Sequence, residues 1–542
     1  MVGCKGKKKS HHCSLPNKPY DYVYINQLYM VIVQNKTNSF FLMVRQTLLK
    51  LLLLSIILYC AFELIIGIKQ LLCFKSTICY ITGTFSNPGP YGGFLSVCSS
   101  LFVAYYVKRY DSSCCRLTTY YNRLVLVIIL LTLIVLPSTM SRSAMLALCI
   151  SLTMLVLGTC RLRIKLMSIL RKYGVWIIIA LISTGTILYL FKKPSADGRL
   201  FMDKICIKTM CANGWAGSGI NHFGSAYGKT QAHYFLNQIK EKGKDDLDWT
   251  AINKHDRLIA DCPENAYNEY LFIGVEAGSI AMLLFIGMMV TVIVISFKRR
   301  TIWCYGLTAF AVFAMFSYPL HIRQFQILLP ILLAAAIIDG AKEHNRTKIP
   351  EFAIISTVLI LLTVVAIRTL PDIRQHKQAE AAWKKAKLWH DMEYYEYVVE
   401  ECDTLVPYMK HNQQFLFAYG QSLNKTGIYE KSDSILKIGT EISSDPMFWN
   451  VMGNNSVALG RYREAEERYK HAFYMVPNRL YPLYLLAKLY HTEGDTVSFL
   501  DMADRVETFI PKVKSVNTER LRAEIRELKA EYTTGLIKKE ND

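Results

Sequence analysis

Long apolar runs separated by short basic loops dominate the chain up to about residue 367 of its 542 residues. A helix needs about 20 mostly apolar residues to cross the hydrocarbon core of a bilayer, where every backbone polar group must be satisfied within the chain. The runs therefore predict membrane-spanning helices. We expect nine of them, near residues 49–68, 91–107, 124–138, 142–160, 175–191, 270–296, 302–318, 322–340 and 352–368.

The basic residues predict the side of the membrane that each loop occupies. Lys and Arg cluster in four loops, at 108–123, 161–174, 297–301 and 341–351. Cytoplasmic loops carry an excess of these residues, and the four alternate correctly for all of them to be cytoplasmic. The large loop 192–269 and the C-terminal domain then lie outside. The net charge of +20 thus encodes orientation, and we expect no nucleic-acid partner because no known binding motif accompanies it.

Five polar motifs fall at the predicted outer ends of the spans. They occupy residues 82–90, 137–143, 195–199, 264–271 and 318–323. Three of them contain an arginine at the membrane boundary: Arg142, Arg199 and Arg323. A guanidinium group grips phosphate oxygens in bidentate fashion, although a snorkelling or solvated arginine is the structural alternative. Together they predict a site for a pyrophosphate-linked lipid and a polar acceptor.

The candidate catalytic residues lie in the last two motifs. Glu264, Tyr267, Asn268 and Glu269 stand at the outer mouth of a span, and His321 lies in the following outer turn. A histidine can act as a general base near neutral pH. Each side chain also has a structural interpretation, as an interhelical hydrogen bond or a packed ring. No residue spacing indicates a metal site, and we expect no cofactor.

These motifs resemble the bacterial O-antigen ligase and O-antigen polymerase family, in particular its Bacteroidetes type with C-terminal tetratricopeptide repeats. The matching pieces are TGTFSNPGPYGGFL at 82–95, SRSA at 141–144, SADGRLF at 195–201, GSGINHFGSAYGKTQAHYF at 217–235 and NAYNEYLFIGVEAG at 265–278. They occur in the family's order. Family members usually carry more spans before the first piece, whereas one clear span precedes it here.

The resemblance implies a membrane glycosyltransferase of the type C superfamily. Such an enzyme moves a glycan from undecaprenyl pyrophosphate to lipid A-core, to a growing glycan or to a protein hydroxyl at the periplasmic face of the inner membrane, without a metal. Arg142 and Arg199 would hold the pyrophosphate, which stabilises the charge that develops as the glycosidic bond breaks. The motifs do not separate a ligase from a polymerase or a protein O-oligosaccharyltransferase.

One position departs from the family pattern. Where the family has His-Asn, this chain has Tyr267 before Asn268. The family's histidine is thought to activate the acceptor hydroxyl, and tyrosine, with an unperturbed pKa of about 10, is a poor base. Either Glu264, Glu269, His321 or His222 takes over this role, or the acceptor chemistry differs, or the protein is impaired. The substitution slightly favours a non-catalytic membrane scaffold that recruits proteins through its repeats. A transporter of lipid-linked glycans would need polar residues deep in several spans, and few are present.

From about residue 371 the pattern changes to amphipathic helical pairs. The stretch 446–479 fits the tetratricopeptide register, and Pro511 follows Pro477 by one 34-residue period. Small residues let paired helices pack closely, and stacked pairs bury a continuous core. A plain helical bundle is the alternative. The partner of the repeats would be a protein, or the repeats would guide the acceptor.

The predicted fold class is therefore all-α, with three regions. A basic N-terminal segment occupies 1–48, and within it 22–45 is either an interfacial helix or a weak span. A polytopic transmembrane bundle resembling type C glycosyltransferases occupies 49–368 and carries the outer loop 192–269. An α-solenoid of tetratricopeptide-like hairpins follows at 371–535.

Overall fold

The computed structural model describes most of the chain. It covers residues 19–73, 81–109, 116–159, 193–244, 246–340 and 374–541, with isolated positions between 164 and 190, and it describes side chains from residue 43 onward except at 109, 116–120 and 532–541. All regular structure in these ranges is helical, which confirms the all-α class. The predicted span at 352–368 lies outside the described residues, and the one at 175–191 lies largely outside them.

Besides helical residues at 171–176 and a 3-10 helix at Pro319–His321, eleven α-helices precede the C-terminal domain in the described ranges. They are α1 Pro19–Cys73, α2 Pro88–Arg109, α3 Arg116–Ser138, α4 Arg142–Gly158, α5 Lys193–Asn213, α6 Phe223–Glu241, α7 Lys254–Ile259, α8 Glu269–Glu276, α9 Gly278–Lys298, α10 Trp303–Ala314 and α11 Arg323–Gly340. Helices α5 to α7 belong to the large loop predicted at 192–269. Helix α1 continues without a break across residue 48, so the N-terminal segment and the first span share one helix.

Four stretches are long and apolar enough to cross a membrane. They are Met43–Cys73, Tyr121–Ser138, Gly278–Lys298 and Arg323–Gly340, and the shorter apolar helices α4 and α10 pack among them. Large apolar side chains on α9 point outward, with Leu283 63% and Leu284 69% exposed. Such a surface suits lipid rather than water. The chain is therefore a polytopic membrane protein.

Two predicted spans differ from the helices observed. The span at 270–296 is divided between α8 and α9, because Gly278 has a left-handed φ of 91° that ends one helix before the next begins. The span at 302–318 is only the 12-residue α10, about 18 Å long. Pro319 disfavours a helical conformation only at Tyr318, so the helix already ends four residues before that restriction applies.

The basic loops gather at one end of the bundle. The Lys108 ammonium group donates hydrogen bonds to the backbone oxygens of Arg300, at 2.7 Å, and Thr301, at 3.1 Å. Arg45 donates at 2.8 Å to the backbone oxygen of Asp339, near the end of α11. The chain segments that carry the positive charge therefore meet at this end, which we call the basic end.

The C-terminal domain is a stack of helical hairpins. Its helices are α12 at 374–391, α13 Tyr395–Cys402, α14 Val406–Met409, α15 Gln413–Lys425, α16 Tyr429–Thr440, α17 Met447–Ala458, α18 Tyr462–Met475, α19 Tyr481–Glu493, α20 Thr496–Thr508 and α21 Val516–Asn541. The first helices of three successive hairpins, α15, α17 and α19, begin 34 residues apart. Gly453 lets the Tyr469 ring pack directly on α17, as the small residues of the pattern require.

The large loop and the hairpins share one hydrophobic core. Helix α6 lies against α18, and the Gln231 side-chain amide donates to the backbone oxygens of Met475, at 2.5 Å, and Asp261, at 3.0 Å. The buried Asn478 amide donates to the backbone oxygens of Arg257 and Ala260, at 2.9 and 2.8 Å. Because these contacts are buried on both partners, the large loop and the C-terminal domain lie on the same side of the membrane.

Candidate functional site

A polar cavity of about 180 Å³ lies at the end of the bundle opposite the basic end. All five polar motifs contribute to its wall. The lining residues are 87–90, 139–143, Ser195, Arg199, Tyr267 and 316–318. Motifs that are more than 200 residues apart in sequence therefore form a single site, which we call the outer cavity.

Helix α1 fixes the turn that opens the cavity wall. The buried Glu63 carboxylate accepts hydrogen bonds from the Thr84 backbone N–H, at 3.0 Å, and from the Thr84 hydroxyl. The Gln70 side chain accepts from the backbone N–H groups of Thr82 and Gly83, at 3.0 and 2.9 Å, and donates to the Gly83 oxygen. Glu63 is thus occupied in holding the turn before α2.

The first turns of α2 and α4 line the outer cavity together. The Ser141 hydroxyl caps α4 by accepting from the Ala144 N–H and donates to the Gly89 oxygen in α2, both at 3.4 Å. The helices approach closely because Gly92 has no side chain: a Cβ there would lie 2.7 Å from the Thr139 hydroxyl oxygen. The N-terminal turn of a helix carries partial positive charge and favours anions.

Two arginines reach the outer cavity. Arg142 is the first residue of α4, and Arg199 lies in the second turn of α5. The Arg199 guanidinium group lies 4.7 Å from the centre of the Tyr267 ring and donates to the Phe316 backbone oxygen at 3.2 Å. Burial lowers the pKa of Arg199, and the positive charge of Arg142 lowers it further. An anion bound between them would relieve this repulsion.

Two phenol rings close the cavity beside Arg199. The Tyr267 and Tyr318 rings meet edge to face, with 5.4 Å between their centres. Burial raises the pKa of Tyr318, and a negative charge on Tyr267 would act in the same direction. The residue at the family's histidine position is therefore part of an Arg–Tyr–Tyr stack at the cavity wall.

The other predicted catalytic residues shape the wall rather than line it. The Asn268 side chain caps α8 by accepting from the Leu271 N–H at 3.3 Å. The buried Glu269 carboxylate accepts from the Leu320 N–H at 3.0 Å and lies 3.6 Å from the His321 ring nitrogen. These two contacts hold the turn after Tyr318 against α8. Glu264 is exposed, yet close enough to Tyr318 to raise the pKa of its phenol.

Arg323 is not brought to the outer cavity. It lines a separate cavity of about 420 Å³ whose other residues are mostly apolar: Ser55, Ile56, Tyr59, Phe94, Gln324, Ile327, Leu328 and Ile331. The structure therefore joins two of the three predicted phosphate ligands and separates the third. Among the residues that the structure describes, no group of three or more His, Cys, Asp or Glu side chains is placed to hold a metal ion.

The glycine-rich stretch after α5 docks on the end of α8. The backbone N–H groups of Ser218 and Gly219 donate to the oxygens of Val275, at 2.8 Å, and Glu276, at 3.0 Å. Gly278 allows this contact, because a Cβ there would collide with the Trp215 carbonyl group. The GSG piece at 217–219 and the EAG piece at 276–278 therefore contact each other in the fold.

Asp203 lies next to the cavity wall without lining the cavity, and the sequence motifs did not reveal it. It follows Arg199 by one turn of α5, so Ser195, Arg199 and Asp203 lie along one face of that helix. Burial raises the pKa of its carboxyl group to about 6, although the positive charge of Arg199 opposes the shift. The four-residue spacing from Arg199 was the only available signal, and such a spacing is common by chance.

The membrane bundle and the outer cavity define the class of protein: a polytopic membrane protein with an arginine-lined site at one end. Residues 126–286 match the O-antigen ligase family, so this part of the chain is similar to that family, as the motifs predicted. The match runs from α3 into α9 and includes Arg142, Arg199 and Tyr267. A comparison with curated proteins gave no match.

Proposed function

We propose that the protein transfers a glycan from an undecaprenyl-pyrophosphate donor to an acceptor hydroxyl at the periplasmic face of the inner membrane. The observation that carries this proposal is the meeting of Arg142 and Arg199 with the first turns of α2 and α4 around one cavity. Two guanidinium groups and two helix N-termini form a strongly anion-favouring environment. The match of residues 126–286 to the O-antigen ligase family supports glycosyl transfer as the reaction.

The chemistry follows from where charge develops. When the bond between the sugar and the pyrophosphate breaks, negative charge accumulates on the leaving phosphate oxygen. Arg142 and Arg199 would stabilise that charge more strongly than they stabilise the bound donor, which is the requirement for lowering a barrier. The acceptor oxygen would attack the opposite face of the sugar and invert the anomeric centre.

The periplasmic assignment rests on charge. Segments rich in Lys and Arg remain in the cytoplasm, and in the described part of the chain Lys108 and the segment 297–301 meet at the basic end with Arg45 nearby. The outer cavity, at the opposite end, would then face the periplasm. The C-terminal domain would lie there too, because it shares a core with the large loop.

The remaining site residues would have supporting roles. Asn268, Glu269 and His321 would fix the wall that carries Tyr267 and Tyr318, and Glu264 would stand at the acceptor entrance. Arg323, beside a mostly apolar cavity, would contact a lipid headgroup at the membrane boundary.

The hairpins at 371–535 would be tetratricopeptide-like repeats that guide the acceptor or bind a protein partner. Their 34-residue spacing and small-residue packing support this assignment. Since they complete the core of the large loop, they also hold the catalytic loop in shape. Deleting them would expose that core, so deletion cannot distinguish a catalyst from a scaffold.

The proposal is tested by complementing a gene-deletion strain with single variants. We expect Arg142→Ala and Arg199→Ala each to reduce surface glycan about 100-fold or more, the typical effect of removing a donor to developing negative charge. Arg463→Ala, at a 93% exposed helix position, serves as the matched control. Glycan gels and membrane immunoblots provide the measurement.

Normal glycan ladders in both cavity variants would reject the proposal and favour the scaffold. The deletion strain also identifies the acceptor class. Loss of all attached glycan indicates a ligase, a single attached repeat unit indicates a polymerase, and intact lipopolysaccharide with unglycosylated proteins indicates a protein transferase.

A further inference from the structure

The proposed transfer lacks a proton acceptor at the position where the resemblance implies one. Tyr267 stands there, and its ring is stacked between the Arg199 guanidinium group and the edge of Tyr318. A phenol is almost fully protonated at neutral pH and therefore removes a proton poorly. Another group near the cavity must do so if the acceptor hydroxyl is to be activated.

Most carboxylates around the outer cavity are already engaged. Glu63 holds the Thr84 turn, and Glu269 binds the Leu320 N–H and faces His321. Glu276 accepts from the Phe223 N–H at 3.2 Å. Taking up a proton would weaken the hydrogen bonds by which each of these carboxylates holds its segment in place.

Asp203 differs from these groups. In the described part of the chain no side-chain or backbone group donates a hydrogen bond to its carboxylate, although it is half-buried. It lies one turn beyond Arg199 on the helix face that contributes Ser195 and Arg199 to the cavity wall. Its charge also acts on Tyr227 of α6, so it sits where α5 meets α6, beyond Arg199 from the cavity.

We propose that Asp203 is the catalytic base of this protein, taking the proton from the acceptor hydroxyl in place of the family's histidine. This inference rests on the proposed function. It places the donor phosphates in the outer cavity beside Arg142 and Arg199, and the acceptor next to them near the junction of α5 and α6. The acceptor would thus be a hydroxyl compound that enters between α5 and the segment leading to Tyr267.

The step balances without any further reactant. The acceptor O–H proton passes to an Asp203 carboxylate oxygen, while the acceptor oxygen forms a bond to the anomeric carbon. The bond from that carbon to the pyrophosphate oxygen breaks, and the electron pair leaves with the pyrophosphate beside Arg142 and Arg199. Asp203 returns its proton to water before the next cycle.

The titration of Asp203 suits this role. Burial raises its pKa to about 6, so the carboxylate is mostly ionised at neutral pH and yet more basic than an ordinary aspartate. Since the reaction needs the ionised form, transfer should fall as the pH drops through about 6. A purely structural Asp203 would not give this pH dependence to the rate of transfer.

The test compares Asp203→Asn with Asp203→Glu and with the double variant Asp203→Asn, Tyr267→His. Removing a general base typically costs about 100-fold to 10,000-fold, so we expect Asp203→Asn to lose at least about 100-fold in glycan transfer. Asp203→Glu should retain measurable transfer. The double variant should recover about tenfold or more over Asp203→Asn, because it restores a histidine where the resemblance implies one.

Transfer is measured in membranes of the complemented strain between about pH 5 and 8, with Glu241→Gln, an exposed carboxylate at the end of α6, as the control. The residual transfer of Asp203→Asn should lack the fall near pH 6. Recovery in the double variant excludes misfolding as the cause of the loss.

Transfer by Asp203→Asn within about threefold of the unmodified protein would overturn the assignment, and loss in His321→Gln alongside it would move the role to His321. If Arg142→Ala abolishes transfer while Asp203→Asn does not, only the base is rejected. If neither variant affects transfer, the proposed function fails as well.

Discussion

A single residue, Gly278, allows the large loop to contact the end of α8. Its φ of 91° is a conformation that side chains rarely adopt, and the Trp215 carbonyl group occupies the space that a Cβ would need. The break it creates lets the glycine-rich stretch at 217–219 bind the end of α8. Gly278 therefore helps to position the large loop against α8, the helix that follows Tyr267.

We expect Gly278→Ala to destabilise the protein by about 1–3 kcal/mol from backbone strain alone, with the steric collision adding to it. Gly287→Ala is the matched control in the same helix, since nothing lies within 4 Å of the added methyl group there. Thermal unfolding of the detergent-solubilised proteins measures both. Equal melting temperatures for the two variants would show that the Gly278 contact does not contribute to stability.

At this scale the sequence predicted the arginines but not their grouping. Arg142, Arg199 and Arg323 look equivalent beside their spans, and only the three-dimensional packing separates Arg323 from the other two. Asp203 was missed because a helix spacing does not reveal whether a carboxylate has partners. Glu269 was predicted as catalytic, yet its burial and its contact with Leu320 show a group that holds a turn.

Helix bounds in the hairpins were easier to predict from the sequence than helix bounds in the membrane bundle. The 34-residue period predicted the hairpins well, because small and large residues alternate at fixed spacings that packing requires. Hydropathy predicted the spans at 270–296 and 302–318 less well. An apolar run continues across Gly278 and toward Pro319, whereas the helices end at backbone conformations that hydropathy does not register.

Helix α7 joins the large loop to the end of the hairpin stack through Arg257. This arginine is almost fully buried, stacks on the rings of Trp249 and Phe509 at 4.8 and 5.2 Å, and donates to the Ile510 oxygen at 3.0 Å. Its removal leaves the Ile510 oxygen without this donor and two rings without their cation.

We therefore expect Arg257→Ala to lower the free energy of unfolding by about 2–4 kcal/mol and to expose the loop 192–269 to proteases. Arg463→Ala, at an exposed helix position, should change neither property. Limited proteolysis and thermal unfolding provide the measurements. Unchanged protection of the loop in Arg257→Ala would contradict a role for this contact in docking.

For the whole molecule, sidedness determines whether the cavity can meet its donor. The alternation of basic loops was readable from sequence because orientation depends on the charge of short loops and not on their fold. The shared core of the large loop and the hairpins could not be predicted from the sequence, because its apolar positions are scattered over 201–275 and 465–525 without a common motif. That core makes the C-terminal domain a reporter for the side on which the outer cavity lies.

A pair of fusions after Asp542 measures most directly whether the outer cavity faces the periplasm. Alkaline phosphatase is active only when exported, and green fluorescent protein fluoresces only when it remains in the cytoplasm. We predict a phosphatase-positive and non-fluorescent C-terminus, with surface glycan intact as evidence that the fused protein folds. A fluorescent, phosphatase-negative C-terminus would place the hairpins, the large loop and the arginine cavity in the cytoplasm and contradict the account.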